Sequence, residues 1–260
     1  MKHTPYSENF FRELQVEFLI HELKDPVSVI ETGMRTLLEK REKYGELSPR
    51  QERTLKRTLR STQKAREMLY NLLEIGRSQS GCFQCAGFQP ARAAYEVLTD
   101  ALEIMAEKIF EPLAAYQEAD EIINVLSDAG IFLNISPSLV HKDIFQDETK
   151  FRQILGNLIK NALYYRQERI EIRMNQENDL LITEVSDDGP GIPPEYHEMI
   201  FQRYARPQSA ESSKLQRKGH GLGLAGALIL ARCLGGNIEL ESKKGRGATF
   251  RLILPMKLSV

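Results

Sequence analysis

Apolar residues recur at helical spacing through the first third of the chain. Leu19, Leu23, Val27, Ile30, Met34 and Leu37 fall at steps of four, four, three, four and three, the period of a bundle or coiled-coil seam. This predicts a helix from about Ser7 to Tyr44. The turn YGEL ends it, and SPRQ restarts a helix with Ser48 as N-cap, Pro49 at the first helical position and Gln51 placed for a capping box. Leu55, Leu59, Thr62, Leu69, Leu72 and Leu73 trace a second seam as far as Gly76. Two such helices, the first about 50 Å long at roughly 1.5 Å per residue, bury too little against each other to stand alone. The expectation is a two-helix hairpin that dimerises into a four-helix bundle.

The pattern changes after RSQSG, residues 77–81, a polar stretch that reads as a domain joint. GIFLNI, RIEIRM, LLITEVSD, NIELES and TFRLILP alternate as strands do, and helical spacing returns at about 91–128, 148–167, 195–204 and 222–234. The chain is thus expected to be α+β. Residues 1–80 would form the helical domain, and residues 81–260 an α/β sandwich whose mixed sheet is covered by helices on one face.

Composition adds little pull in any direction. With 260 residues, a net charge of −1, 42% hydrophobic and 27% charged residues, the chain has room for two cores and no global attraction to nucleic acid or membrane. The second helix carries a basic stripe of Arg53, Lys56, Arg57, Arg60 and Lys64. It is either a solvated face or a docking surface for an acidic partner. Without neighbouring aromatics to stack on bases, nucleic acid binding is not expected. The N-terminus lacks an apolar signal core and no window offers the roughly 18 apolar residues of a membrane span. An external stimulus would have to arrive through a separate sensor protein or a segment beyond this sequence. Three cysteines, Cys82, Cys85 and Cys233, cannot all pair, which fits a reducing cytoplasm. Cys82-x-x-Cys85 has no second pair to complete a zinc site, so structural roles are expected.

Candidate chemistry lies in four segments. In DETKFRQILGNLIKNALYY, Asn157 and Asn161 project from one helical face while Ile154, Leu155, Leu158, Ile159 and Ala162 can meet the core. An amide oxygen suits Mg²⁺ that is bound mainly through phosphate oxygens; two buried, hydrogen-bonded asparagines are the plainer alternative. In VSDDGPGIP a strand runs into an acidic pair and then Gly189-Pro190-Gly191. Glycines there admit a ligand where a Cβ would clash, and Asp187 is the acid chosen to accept a hydrogen bond from an exocyclic amine. GHGLGLAGALILARCLGG sets Gly219, Gly221 and Gly223 before an apolar helix, whose N-terminal N–H groups can cradle phosphates. Between these glycine segments IFQRYARPQSAESSKLQRK supplies Arg203, Arg206, Lys214, Arg217 and Lys218, a basic flap or simply a basic loop.

Taken in order, Asn-x₃-Asn, D-x-G-x-G, I-F-x-x-Tyr, G-x-G-x-G and GRGATF strongly resemble the catalytic domain of sensor histidine kinases, within the ATPase fold shared with gyrase, the Hsp90 chaperone and MutL. HELKDP and its hairpin resemble the dimerisation and histidine-phosphotransfer domain of the same family. The resemblance implies that Asn161 coordinates Mg²⁺ and Asn157 lines the same site. It implies that Asp187 holds adenine, Gly189 and Gly191 shape that pocket, and Phe201 and Tyr204 pack beneath a lid. Gly219, Gly221, Leu222 and Gly223 would meet the nucleotide's phosphates, His21 would take the γ-phosphoryl group, and Glu22 would accept the imidazole proton. His21 lies two residues past Leu19, roughly 200° around the helix from the seam, so it is expected to face outward.

The resemblance implies a homodimeric, cytoplasmic histidine kinase of a two-component system. It would use ATP and Mg²⁺ and pass the phosphoryl group to an aspartate of a response-regulator receiver domain. The alternative is a non-catalytic, ATP-responsive switch or scaffold. Two positions depart from the family pattern. Tyr164 stands where lysine is common, leaving phosphate contact to Arg166 or a lid base, and Asp25 stands where threonine or asparagine is common. Pro26, whose ring crowds the carbonyl of Glu22, is expected to bend the first helix and act as a hinge beside His21.

Overall fold

The computed structural model describes residues 6–79, 83–106, 109–110, 119–201 and 223–258, with side chains at all of these except 6–21, 64, 67, 70–79 and 119–120. The chain divides into two compact units, Met1–Gly81 and Cys82–Val260.

In the first unit, α1 spans Tyr6–Glu39, a short α2 spans Arg41–Tyr44 and α3 spans Pro49–Gln79. The helix expected to reach Tyr44 therefore breaks at Lys40, and Gly45 turns the chain at φ 86. The capping box forms: the Ser48 N–H donates to Gln51 Oε1 at 2.8 Å and the Gln51 N–H donates to Ser48 Oγ at 3.3 Å, satisfying two donors that the first turn leaves open. α3 continues past Gly76, because one glycine costs a helix only about 1 kcal/mol. Pro26 lies inside α1, which continues beyond it to Glu39.

α1 and α3 pack along each other. Buried Glu31 ties them, meeting Arg35 at 3.1 Å on its own helix and Arg66 at 2.7 Å on α3. Arg41 pairs with Glu52 at 3.2 Å near the turn. Of the expected α1 seam, Val27, Met34 and Leu37 are half-buried, whereas Leu23 and Ile30 stay 50% and 46% exposed. α3 covers only one side of the apolar stripe. The basic stripe on α3 faces solvent at Arg53, Lys56, Arg57 and Arg60, where Arg53 and Arg60 each donate Nε to a backbone carbonyl four residues back.

The second unit is built on a five-stranded sheet of order β2-β4-β5-β7-β6. Its strands are β2 (Ile131–Ile135), β4 (Ile170–Glu177), β5 (Leu180–Asp187), β6 (Asn237–Ser242) and β7 (Ala248–Pro255). β2 runs parallel to β4 and the remaining pairs are antiparallel, so the sheet is mixed. Each of the five alternating stretches supplies one strand. The inner face presents Ile170, Ile172, Met174, Leu181, Val185, Phe250, Leu252 and Leu254, all buried. Over it lies α6 (Glu148–Tyr165), flanked by α4 (Pro90–Met105) and α7 (Gly223–Cys233). Phe151, Ile154, Leu155, Leu158, Ile159 and Ala162 of α6 have no exposure at all.

Three features depart from the sequence reading. The helical stretch expected over 91–128 divides, with α4 ending at Met105 and α5 spanning Ala119–Asp128. In place of a helix at 195–204, the chain makes two single 3₁₀ turns, Pro194–Tyr196 and Met199–Phe201, after a Pro193-Pro194 start that disfavours helical geometry at the residue before each proline. A second, two-stranded antiparallel sheet joins β1 (Cys85–Phe88) to β3 (Ile144–Asp147). β3 feeds straight into α6, and buried Asp147 caps that helix. Its carboxylate accepts the Lys150 N–H at 3.1 Å, the Gln84 N–H at 3.0 Å and Lys150 Nζ at 2.9 Å. Burial works against that charge, but the lysine and the two backbone donors outweigh it and hold the carboxyl below its ordinary range. Cys85 and Cys233 are free thiols pushed up in pKa by burial, as structural cysteines are, while Cys82 lies outside the described residues. Among those residues, no helix is long and apolar enough to cross a membrane.

Candidate functional site

α6 is the spine of the site. Its cap at Asp147 fixes where the helix starts, and its apolar positions fix which side meets the sheet. Asn157 and Asn161, both half-buried, are thereby left on the opposite face. α7 begins at Gly223, where an added Cβ would lie 3.6 Å from Asn157 Oδ1. The N-terminal end of an 11-residue apolar helix thus abuts the first asparagine. Such an end carries partial positive charge and unpaired N–H groups, a setting suited to phosphate.

The other end of the site is the C-terminus of β5. Asp187 accepts the Gly189 N–H at 2.9 Å and also the Ala248 N–H, and among the described residues it meets no cation. Burial pushes its carboxyl up to about 6; the neighbouring Asp188 charge adds to the rise and the two backbone donors oppose it. Asp188 behaves differently. It accepts the backbone N–H groups of Gln167 at 2.8 Å and Glu168 at 3.0 Å. Although burial raises its pKa, the donors at Arg169, Gln167 and Glu168 prevail and hold it below the ordinary range. Asp188 therefore pins the turn after α6 to the end of β5. Asp187 is left as an inward acid with hydrogen-bonding capacity in hand.

The glycines around Asp187 are sterically required. A Cβ at Gly189 would overlap the Tyr165 carbonyl oxygen and lie 2.6 Å from Asp187 Oδ1, and one at Gly191, which sits at φ +68, would overlap the Lys243 carbonyl oxygen. Gly247, from the GRGATF segment, sits at φ +74 against the Asp187 carbonyl, and its N–H donates to the Gly189 carbonyl at 3.0 Å. Ser242 completes the lacing: its Oγ accepts the Ile192 N–H at 2.8 Å and donates to the Gly247 carbonyl at 2.6 Å. The DDGPGI and GRGA segments thus form one floor.

Tyr165 is a site residue that the sequence reading missed. It is half-buried beside Asp187; burial, with the charges of Tyr164 and Asp187 adding to it, raises its hydroxyl pKa. Its ring meets that of Tyr164 edge-on at 4.8 Å. The signal was available, since Asn157, Asn161 and Tyr165 recur every fourth residue. Phe201 ends the second 3₁₀ turn, half-buried and T-shaped on Phe250 at 6.3 Å. Tyr204, Gly219, Gly221 and Leu222, with the basic segment between, lie outside the described residues. Arg166, expected as one possible phosphate contact, is committed elsewhere: it donates to the Ala129 carbonyl at 3.0 Å, with burial lowering its pKa against the pull of Asp188. In the first unit, His21 lies within α1, its side chain outside the described set, and Glu22, Asp25 and Pro26 are exposed.

Residues 146–258 match the family described as histidine kinase-, DNA gyrase B-, and HSP90-like ATPase. The sensor histidine kinase WalK of Bacillus subtilis is 29% identical over 243 residues, covering 91% of this chain and 35% of WalK. The circadian input-output histidine kinase CikA of Synechococcus elongatus is 30% identical over 238 residues, covering 90% of this chain and 29% of CikA. The chain spans about a third of the length of these curated relatives. Among solved structures, full-length ShkA in complex with AMPPNP superposes with a TM-score of 0.65 at 23% identity, covering 95% of this chain and 46% of ShkA, a likeness of fold. With the motifs and the site geometry these matches agree: residues 146–258 form an ATPase domain of the histidine kinase, DNA gyrase B and HSP90 type, and the likeness to sensor histidine kinases along nine-tenths of the chain supports a histidine kinase core.

Proposed function

We propose that this chain is the core of a two-component histidine kinase that transfers the γ-phosphoryl group of ATP to His21 and then to an aspartate of a response-regulator receiver domain. One observation carries the nucleotide part. A half-buried acid with no cationic partner among the described residues, Asp187, stands near the C-terminal end of α6 beside a Cβ-free floor, and about two turns back along the helix Asn157 meets the N-terminal end of α7. The first suits a base with an exocyclic amine, the second suits its phosphates, and eight residues of helix, about 12 Å, separate them.

In this reading Asp187 accepts from the adenine amine, and Gly189 and Gly191 shape the pocket by letting the floor beneath the base close on itself. Phe201 and Tyr204 support the lid, while Gly219, Gly221, Leu222 and Gly223 meet the phosphates. Asn161, with Asn157 beside it, would hold Mg²⁺. Among the described residues there is no cluster of three His, Cys, Asp or Glu that could cage a metal. An amide oxygen plus phosphate oxygens and water is a donor set that magnesium accepts, and the ion would offset charge on the transferring group.

His21 attacks as neutral imidazole. One ring nitrogen forms the P–N bond while the bond from the γ-phosphorus to the bridging oxygen breaks and ADP leaves. Glu22 takes the proton from the other nitrogen. The receiver aspartate then attacks phosphorus, the P–N bond breaks, and the imidazole recovers its proton. Leu23 and Ile30, exposed on α1, are the surface through which two copies would form the dimeric bundle. Incubation with γ-labelled ATP should give an acid-labile, alkali-stable label that moves to an added receiver domain. An equal label on the His21→Gln variant would remove His21 from the mechanism.

A further inference from the structure

The proposed phosphate end lacks an identified cation among the described residues, and α6 offers few. Lys150 is buried and paired with Asp147 at 2.9 Å. Arg152 is paired with Glu96 and with Glu148. Arg166, just past the helix, serves the Ala129 carbonyl. Tyr164 lies on the site side of the helix but brings a phenol, 38% exposed, and no charge. Lys160 remains. It is half-buried, and among the described residues it has no hydrogen bond or ion pair.

Its position on α6 follows from helix geometry. Counting about 100° per residue from Asn157, Asn161 stands at about +40°, Tyr165 at about +80°, Tyr164 at about −20° and Lys160 at about −60°. Phe151, Ile154, Leu155, Leu158, Ile159 and Ala162, which have no exposure, span an arc from about +60° to about +200° that Lys160 and both asparagines lie outside. Lys160 thus shares the non-core face with both asparagines. Along the axis it falls between them, roughly 4.5 Å from the level of Asn157 and roughly 7.5 Å from that of Tyr165. Along the axis it stands nearer the end of the site that Gly223 and Asn157 define than the end where Tyr165 adjoins Asp187. A four-carbon stem lets its ammonium swing over the Asn157 end as a mobile point charge.

We propose that Lys160 contacts the terminal phosphates of the bound nucleoside triphosphate and supplies the cation that α6 otherwise lacks there. This rests on the reading of the site as an ATP site. Lys160 discriminates triphosphate from nucleoside, while Asp187 and the glycine floor hold the base.

Calorimetric titration of the full chain with ATP and with adenosine, both in the presence of Mg²⁺, tests the assignment. Lys160→Ala should weaken ATP binding about ten- to a hundredfold, the scale of a lost hydrogen bond to a charged group, and leave adenosine affinity unchanged. It should also flatten the salt dependence of ATP binding, and Lys160→Arg should recover most of the affinity. Unchanged ATP affinity in Lys160→Ala overturns the proposal, as does an equal loss for adenosine and ATP, which would mark a general effect on the pocket. Wild-type chain that binds neither ligand would instead overturn the ATP reading itself.

Discussion

Asp187 and Asp188 are adjacent carboxylates with opposite titration behaviour, and the cause is their partners. Asp188 spends its oxygens on backbone donors of the turn after α6 and stays ionised more readily than an ordinary aspartate. Asp187, half-buried and with two backbone donors that do not offset its desolvation, holds its proton up to about pH 6. Because its folded pKa lies above the unfolded value, the folded state binds the proton more tightly, and its contribution to stability declines as pH rises from about 4 to about 6. At pH 7.5 the ionised group is a net cost to the domain without nucleotide. Asp187→Asn should therefore raise the melting temperature at pH 7.5, show little gain at pH 4, and abolish ATP binding. A lowered melting temperature at pH 7.5 would contradict this account of the buried charge. The D-x-G-x-G spacing singles out Asp187 but does not give the two acids their opposite titration. Their difference arises from where the turn at 166–169 places its N–H groups, which only the fold determines.

Among the elements, the start of α6 is the most heavily constrained. Asp147 both caps the helix and neutralises the buried Lys150, so removing the carboxylate takes away the anion that faces an ammonium with 6% side-chain exposure. Asp147→Ala should destabilise the second unit by about 3 kcal/mol or more, read as a lower urea midpoint. Adding Lys150→Met should restore much of the loss, because the buried charge that has lost its carboxylate is then gone. Equal midpoints for the single and double variants would show that the lost cap, rather than the buried charge, sets the cost.

This junction also marks what the sequence concealed. CAGF and IFQD form strands only four residues long, too short for a period to register, and they find each other across some sixty residues of chain. The long α1 and α3 seams and the five alternating strands were legible because their periods repeat often enough to exclude the competing pattern. The same holds at the site. Asn157, Asn161 and the glycine segments are readable by spacing, whereas Tyr165 and the occupation of Arg166 depend on contacts between elements distant in sequence.

At the scale of the molecule, the proposed function assigns one chemical task to each unit, nucleotide holding to Cys82–Val260 and phosphoryl acceptance to Met1–Gly81. The first unit leaves Leu23 and Ile30 uncovered on a seam whose positions Val27, Met34 and Leu37 are half-buried. Burying two such side chains is worth several kcal/mol. Sedimentation of the chain should thus show a dimer that Leu23→Lys with Ile30→Lys converts to monomer. A dimer that survives both charges would move the interface elsewhere.

The central claim is that His21 is the acceptor of ATP's γ-phosphoryl group, and mass spectrometry at neutral to alkaline pH after incubation with ATP tests it most directly. The account predicts one phosphoryl group on the peptide containing His21, fragmenting to the imidazole, and none in the Asp187→Asn variant. ATP bound and hydrolysed with His21 unmodified, or the phosphoryl group found on another residue, would contradict it.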